Sequence, residues 1–531
     1  MKSALLTLTL LATPCWAQTQ SQEIVTVAVL SINDFHARLL PEPHLNVPGA
    51  PALVETLDSL KRVYPYHITV SAGDNFGGCF FYNATRTSSL LPQAYKDMGI
   101  NISAVGNHEF DEGQAALADK WNKTYAKPGD WDIQYVTANV RNRSNQVPEF
   151  AQPFIVRSIP LSKDKSIDVG FVGLTTAATP WQASIKRLEG LSFSPNYRST
   201  LDSVATLPGY ERFAKAPIRV LLTHIGTDMK DGHPVWDDPA ATDLAQLDRK
   251  DIDAVLSAHS HTMVVGMSPS RRSIPITQSL CYGRYVSVLK CEIEAATGRL
   301  LKITPELVRV NPNIRLSYKA ARLKAQLDEQ LHTSFFRGKP LSQVLTHCAK
   351  DIVNNRKLNK YQTRMGSLVT ESYATAYRKA QGLADDALVV GVSHFGSIRA
   401  GLPAGEVTVL KVGEALPFAN PLRAYRYTGQ QLLALMEHGI NVCKLGRIQT
   451  SGVQAFQDKS GKVRRLSLTL PNGKIVPITA KTKLVVVADE YMTTGGDGYL
   501  PEQFPKTQEI KVALPTSTDA FLAYLPTLSS I

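Results

Sequence analysis

Between Glu23 and about residue 305, six nearly continuous β-branched runs alternate with helical patterns: IVTVAVLSI, HITVSAGD, ISAVGNH, IDVGFVGLT, IRVLLTHIG and IDAVLSAHSH. A strand that is apolar at almost every position, not at every second one, belongs in a sheet covered on both faces. That restricts residues 24–305 to an α/β or layered αββα architecture. The chain has 531 residues, which is room for more than one domain. A helix-period stretch, NPNIRLSYKAARLKAQLDEQLHTSF, predicts a linking helix within 306–338. Residues 339–525 then predict a second α/β domain, with helices near GSLVTESYATAYRKAQ and GQQLLALMEHGI and strands at ALVVGVS, RRLSLTL and KLVVVADE.

Five of the six runs end in residue types that bind metals. INDFH supplies Asp34 and His36, SAGDN supplies Asp74, GNHEFD supplies Asn107 and His108, LLTHIG supplies His224, and SAHSH supplies His259 and His261. A single histidine after a strand is ordinarily structural; five such loops in one domain are not. Ligands gather at the carboxyl ends of strands in open sheets, so groups far apart in sequence can converge there. Mixed carboxylate, imidazole and carboxamide donors suit zinc, manganese, iron or cobalt better than calcium. With His108 set aside for the chemistry below, seven donors are too many for one tetrahedral ion and suit two, about 3.5–4 Å apart with a shared carboxylate. Asp74, alone in a Gly-flanked loop, is the expected bridge. Two divalent ions outweigh the charge of Asp34 and Asp74, and the excess positive charge suits a phosphoryl group and an attacking hydroxide. That combination predicts hydrolysis.

The stretch GNHEFDEG carries the rest of the chemistry. Asn107 is expected as a neutral ligand. His108, beside it, would stabilise charge on phosphoryl oxygens or protonate a leaving group. Asp111 stands one helical turn on, where its carboxylate would fix the imidazole and raise its pKa. It has a second reading as an acidic residue at a helix start, favoured by the dipole. Glu109 reads as structural or as support for the ligand loop.

The opening residues, MKSALLTLTLLATPCWAQ, have the pattern of a secretory signal peptide over 1–17, so a periplasmic or secreted location is expected. No segment reaches the roughly 20 apolar residues of a membrane-spanning helix. Five cysteines follow the signal, and an oxidising compartment permits a disulfide, with Cys281 and Cys291 the nearest pair in sequence. A net charge of +12 without a long basic run argues against a nucleic-acid polymer as partner. It favours long-range attraction of small anions.

The motifs NDFH, GD, GNHEFD, THIG and AHSHT occur in this order in calcineurin-like metallophosphoesterases. Over residues 24–505 the chain resembles the 5′-nucleotidase family, which includes periplasmic UDP-sugar hydrolases and animal ecto-5′-nucleotidases. The resemblance implies a four-layer αββα catalytic domain joined by a linking helix to a nucleotide-binding domain that rotates about it. It implies two divalent ions, zinc, manganese or cobalt. Asp34, His36, Asp74 and His261 would hold one, and Asp74, Asn107, His224 and His259 the other. His108 and Asp111 would form the catalytic dyad. Family members often carry Gln or Asn where His261 stands.

In the second domain, HFGSIRAG resembles the family's Asn-Gly-Gly-Gly-Ile-Arg loop, implying that Arg399 binds phosphate or carboxylate groups. His394 replaces the Asn there and Ser397 a Gly. LPFAN resembles a Pro-Phe-Gly-Asn loop, implying that Phe418 stacks on a base and Asn420 bonds its edge. YMTTGGDGY implies Tyr491 on the other base face and Asp497 on ribose hydroxyls. Where the family often has another arginine, this chain has Asn359, with Lys360 and Arg364 as basic neighbours. The implied activity is an exported phosphohydrolase that converts 5′-nucleotides to nucleosides and phosphate. The alternatives are a 2′,3′-cyclic-nucleotide phosphodiesterase, an NAD or UDP-sugar pyrophosphatase and, remotely, a non-catalytic nucleotide-binding protein.

Overall fold

The structure is a computed structural model that describes residues 23–85, 89–111, 113–119, 133–183, 185–244, 249–354, 362–443, 446–528 and 531. The expected signal peptide, Asn359 and Lys360 lie outside the described residues.

Two sheets stack face to face. The seven-stranded sheet runs in the order Leu300–Arg309, Tyr285–Glu294, Ile24–Ile32, Tyr66–Ser71, Ile100–Ala104, Gln134–Val136, Ala151–Gln152. The six-stranded sheet runs Met263–Met267, Pro275–Ser279, Ala254–Leu256, Ile218–His224, Ser166–Thr175, Phe154–Pro160. The apolar runs explain the layering. In Ile24–Ile32, Val27 and Val29 join the core between the sheets, while Ala28, Leu30 and Ile32 join the core beneath the helices. In Ile218–His224, Val220 and Leu222 fill the intersheet core and Leu221 the outer one. Each strand therefore serves two cores, which is why no polar alternation survives in its sequence. Helix Ala50–Val63 covers the first sheet, and Tyr197–Val204 and Tyr210–Lys215 pack against the second. The result is four layers, αββα.

Parallel pairing at the middle of both sheets sets the direction of the loops. Ile24–Ile32 pairs parallel with Tyr66–Ser71, and Ile218–His224 lies parallel to both Ser166–Thr175 and Ala254–Leu256. Their carboxyl ends open on one rim.

Helix Tyr318–Thr333 follows the first unit. Ser317 caps its start, and Ala320, Leu323 and Leu327, spaced for one helical face, are buried. It packs against Ala50–Val63, with Lys319 2.7 Å from Asp58. The second unit holds a five-stranded sheet in the order Ile448–Thr450, Val389–His394, Lys483–Asp489, Leu422–Thr428, Glu509–Ile510. Helix Arg364–Gln381 lies on it, capped by Thr363 and ended by Gly382 in a left-handed conformation. Arg364 is exposed at the start of that helix.

The two units share one apolar cluster, to which Phe80 and Phe81 contribute from the first and Val412 and Ala415 from the second. Phe80 packs against Gly413, where any added side chain would collide with its ring. Beside it, buried Arg38 pairs with Glu414 across the junction and with Glu42 at 2.7 Å, and its guanidinium lies 4.7 Å from the Tyr282 ring centre.

One expectation is overturned. The Cys281–Cys291 disulfide does not form: all five cysteines past the signal are buried free thiols. Cys291 sits between the sheets, while Cys281 faces Arg284 Nη2 at 2.8 Å, so closeness in sequence does not bring their side chains together. Among the described residues, no helix is long and apolar enough to cross a membrane.

Candidate active site

The strand-end residues converge on Asp74. Asp34, His36 and His261 form one group of donors within 4.8 Å of one another, Asp74, His224 and His259 a second, and His36, Asp74 and His108 a third. Asp74 Oδ2 stands 3.7 Å from His36 Nε2 and 3.2 Å from His224 Nε2, between the first two groups. Asp34 Oδ1 lies 3.3 Å from His261 Nε2 and 3.9 Å from His224 Nε2. Asn107, in the loop that also carries His108, has its Oδ1 buried and without a hydrogen-bond partner.

Backbone groups aim these side chains. His36 Nδ1 lies 3.0 Å from the Gly77 carbonyl and His224 Nδ1 2.9 Å from the Ala72 carbonyl. A carbonyl only accepts, so each Nδ1 carries the proton and each Nε2 keeps its lone pair for the pocket. His224 Nε2 is buried with no hydrogen-bond partner. His36 Nε2 and His261 Nε2 face each other at 3.1 Å. Lone pairs so placed, beside two carboxylates and an orphaned carboxamide oxygen, suit divalent cations.

The backbone is bent to achieve this. Asp34, His36, Asp74, His259 and His261 all have φ between 48° and 79°, the left-handed region. Each such residue costs about 1 kcal/mol or more, and strain of this kind gathers where function demands it. The first two loops are sewn together by Asp34 N to Gly73 O at 3.0 Å and His36 N to Asp74 O at 2.9 Å. Glu109, buried, accepts from the backbone N–H groups of Asp74, Asn75 and Gly106 at 2.9, 2.8 and 2.6 Å. Burial and Asp74 push its carboxyl up to about 7, against those donors.

Charge is divided in the pocket: the carboxylates favour the cationic ring at His224, while burial favours the neutral ring at His36 and His259. Burial opposes ionisation of Asp34, yet His261 and His224 hold it down at about 2. Burial likewise disfavours charge on His224, but Asp74 raises it to about 9. Burial, then His224, lowers His259 to about 4.

His108 and Asp111 meet as expected. The turn His108–Phe110 brings His108 Nδ1 to 2.8 Å from Asp111 Oδ2. Burial disfavours imidazolium, but Asp111 and Asp74 raise the pKa above its ordinary value. Gly77, with φ 89°, passes against this pair, and a Cβ there would stand 2.7 Å from His108 Cβ.

The second domain supplies the opposite wall. Arg399 Nη2 lies 3.9 Å from where a Cβ on Gly78 would stand, and the same point is 4.0 Å from His36 Nδ1. Its guanidinium is 5.8 Å from the centre of the Phe418 ring, which is 36% exposed. Asn420 is half-buried, and its carbonyl accepts from Ser517 N at 2.8 Å. Tyr491 OH reaches Asp497 Oδ1 at 3.3 Å, and its ring stacks on His394, 5.6 Å between centres and 27° between planes.

Two participants escaped the sequence, and so did the contacts of a third. Tyr282 sets its ring edgewise to His36 and His261, 5.7 and 5.5 Å between centres. Gln182 Nε2 approaches His259 Nε2 at 3.1 Å. Glu109 was seen as a supporting residue, but its three amide contacts were not. None lies at a strand tip, so only the spacing in GNHEFD gave a signal, and only for Glu109.

Residues 27–263 match the family model for calcineurin-like phosphoesterases, and residues 344–504 match that for the 5′-nucleotidase C-terminal domain. An endonuclease, YhcR, from Bacillus subtilis is 24% identical over 96% of this chain, which spans 41% of that protein. A 5′-nucleotidase from Rattus norvegicus is 21% identical over 92% of this chain and 85% of its own. The crystal structure of a 5′-nucleotidase precursor from Thermus thermophilus superimposes with a TM-score of 0.73 at 23% identity, covering 95% of this chain and 97% of that one. Both halves of the two-domain arrangement are thus matched in order, and the chain belongs to the 5′-nucleotidase family of metallophosphoesterases.

Proposed function

We propose that the protein is an exported phosphohydrolase that releases phosphate from 5′-nucleotides with two divalent ions, zinc, manganese or cobalt. The observation that carries this is the convergence of Asp34, His36, Asp74, His224, His259 and His261, with His108 beside them, from five strand-end loops, faced by Arg399 from the second domain. Asp34, His36, Asp74 and His261 would hold one ion, and Asp74, Asn107, His224 and His259 the other. When bound, the ions supply Lewis-acid polarisation of the phosphoryl group and of the attacking water. Asp111 holds His108 in the protonated form, and that imidazolium donates to a phosphoryl oxygen or to the leaving oxygen. Arg399 offers a guanidinium to the phosphate groups, and Phe418 and Tyr491 offer ring faces to the base. The opening residues support export, since a lysine, a short apolar stretch and Ala17 are what a signal peptidase reads.

The test is metal analysis of the purified protein joined to a hydrolysis panel read by product chromatography as well as by phosphate release: AMP, 2′,3′-cyclic AMP, NAD, UDP-glucose and DNA. Two equivalents of a transition metal and a preference for AMP are expected. Preference for the cyclic or pyrophosphate substrates would replace the monoesterase reading. Full turnover by His108→Ala would remove the imidazole from the mechanism.

A further inference from the structure

The chain departs from the family loop at His394 and Ser397, and the structure gives both a task. His394, 1% exposed, ends strand Val389–His394. Its Nε2 is 2.7 Å from Ser397 Oγ, and Ser397 Oγ is 3.3 Å from Asp489 Oδ2. On its other side, Nδ1 is 2.8 Å from Asp497 Oδ2, an ion-pair contact more than an aligned hydrogen bond. Proton accounting fixes the direction of this chain. Asp489 caps a helix by accepting from Met492 N at 3.0 Å, the role of a carboxylate. The one Ser397 hydroxyl proton that reaches it leaves Ser397 as acceptor from His394 Nε2. Nδ1 faces a second carboxylate at ion-pair distance, which favours a proton there as well. His394 is then an imidazolium held between Asp497 directly and Asp489 through Ser397.

The same ring stacks on Tyr491, and Tyr491 OH donates to the other Asp497 oxygen at 3.3 Å. Asp497 itself has φ 53° and lies against the Gly396 and Gly446 backbones. A donor on each oxygen fixes the orientation of this carboxylate. Two aimed oxygens match a vicinal diol, whose two O–H groups need two acceptors side by side.

We propose that His394, oriented by Ser397 and Asp489, is the positioning residue that aims Asp497, the carboxylate which the family resemblance places on ribose hydroxyls, and braces Tyr491 beside it. This rests on the nucleotide reading above and deepens it: two residues at which this chain departs from the family loop set how well that carboxylate meets the diol. Ser397 and His394 are specificity-determining positions of this chain.

Calorimetric titration of the full chain with adenosine and with 2′,3′-dideoxyadenosine tests it, with the ratio of the two dissociation constants as readout. A ratio is independent of the folded fraction, so a variant that merely loses fold does not move it. The wild type is expected to favour adenosine by about tenfold or more, since a site built to bond hydroxyls rejects analogues lacking them. Asp497→Asn and His394→Ala should each cut the ratio at least fivefold. Ser397→Ala, a small change that spares the imidazole, should cut it about twofold to threefold, and His394→Gln, which retains a donor, should restore part of what His394→Ala loses. A wild-type ratio in His394→Ala, with Asp497→Asn reduced, overturns the role of His394. A wild-type ratio near one overturns diol recognition at this pocket. No adenosine binding, with phosphate still released from p-nitrophenyl phosphate, overturns the nucleotide reading and leaves the metal chemistry standing.

Discussion

Two regions of the molecule hold polar groups under opposite regimes. Around Asp74 the side chains are aimed by backbone: Nδ1 of His36 and of His224 on carbonyls, Asp34 N and His36 N on the neighbouring loop, and three amides on Glu109. In the second domain, side chains aim one another: Tyr491 on Asp497, Asp497 on His394, His394 on Ser397. A backbone lattice is set by the fold and tolerates little change. A side-chain chain can be rewired residue by residue, and here the chain departs from its family's loops at His394 and Ser397, against His261 in the first region. The difference teaches that the fold itself sets the donor cluster, while the wall facing it can change one side chain at a time.

The largest effect should follow from breaking the shared carboxylate. Asp74→Asn keeps the size of the side chain but removes the charge between the two donor groups. Support residues around metals cost about 10–100-fold when changed, and a bridge must exceed that. A loss of about a thousandfold or more in kcat/KM for AMP is expected, with metal content below two equivalents. Retained turnover with two bound ions would refute the shared role of Asp74.

Much of this contrast was legible in the sequence, for physical reasons. Strands that serve two cores read as unbroken apolar runs, so polar residues at their tips stood out, and Asp34, Asp74, His224 and His259, which the structure brings into neighbouring donor groups, were legible as candidates by position alone. The i,i+3 spacing of His108 and Asp111 announced their contact, realised at 2.8 Å. The second domain was quieter, because Phe418 and Tyr491 are aromatic residues like those of any core, and only their order beside the first set gave them meaning. The left-handed backbone at five donors was invisible, since no glycine marks those positions. The Cys281–Cys291 expectation failed because ten residues of chain say nothing about where two side chains point across a strand.

The dyad should rank next. Asp111 is the first neighbour that raises the His108 pKa against burial. Removing its charge lowers that pKa, so His108 loses its proton at a lower pH. Asp111→Asn is therefore expected to reduce kcat by about 10–100-fold and to shift the basic limb of the pH profile toward lower pH. A basic limb that stays in place would assign it to another group.

Phe418→Ala probes the second region. Stacking contributes about 1–3 kcal/mol per base, so a rise in KM for AMP of about thirtyfold is expected with kcat changed by only a few-fold. The effect should vanish for p-nitrophenyl phosphate, which has no base. An equal fall in kcat for both substrates would mean that Phe418 shapes the metal region as well, and the two regimes would not be separable.

The smallest effect sharpens the boundary between them. Five of the six apolar runs end in candidate ligands; the sixth, Ser166–Thr175, does not, yet the turn after it carries Gln182 to 3.1 Å from His259 Nε2. Gln182 Oε1 is buried without a hydrogen-bond partner, and the two ends of an amide are interchangeable in shape. With the amide turned over, Oε1 accepts from His259 Nε2–H, and Nδ1 is left as the lone-pair nitrogen for the ion. The sixth loop then serves the site as the other five do, one bond further out. Gln182→Ala should weaken metal binding about tenfold, the lower end for such support, as measured by competition with a chelator. Unchanged affinity would make the sixth strand a purely structural member of its sheet.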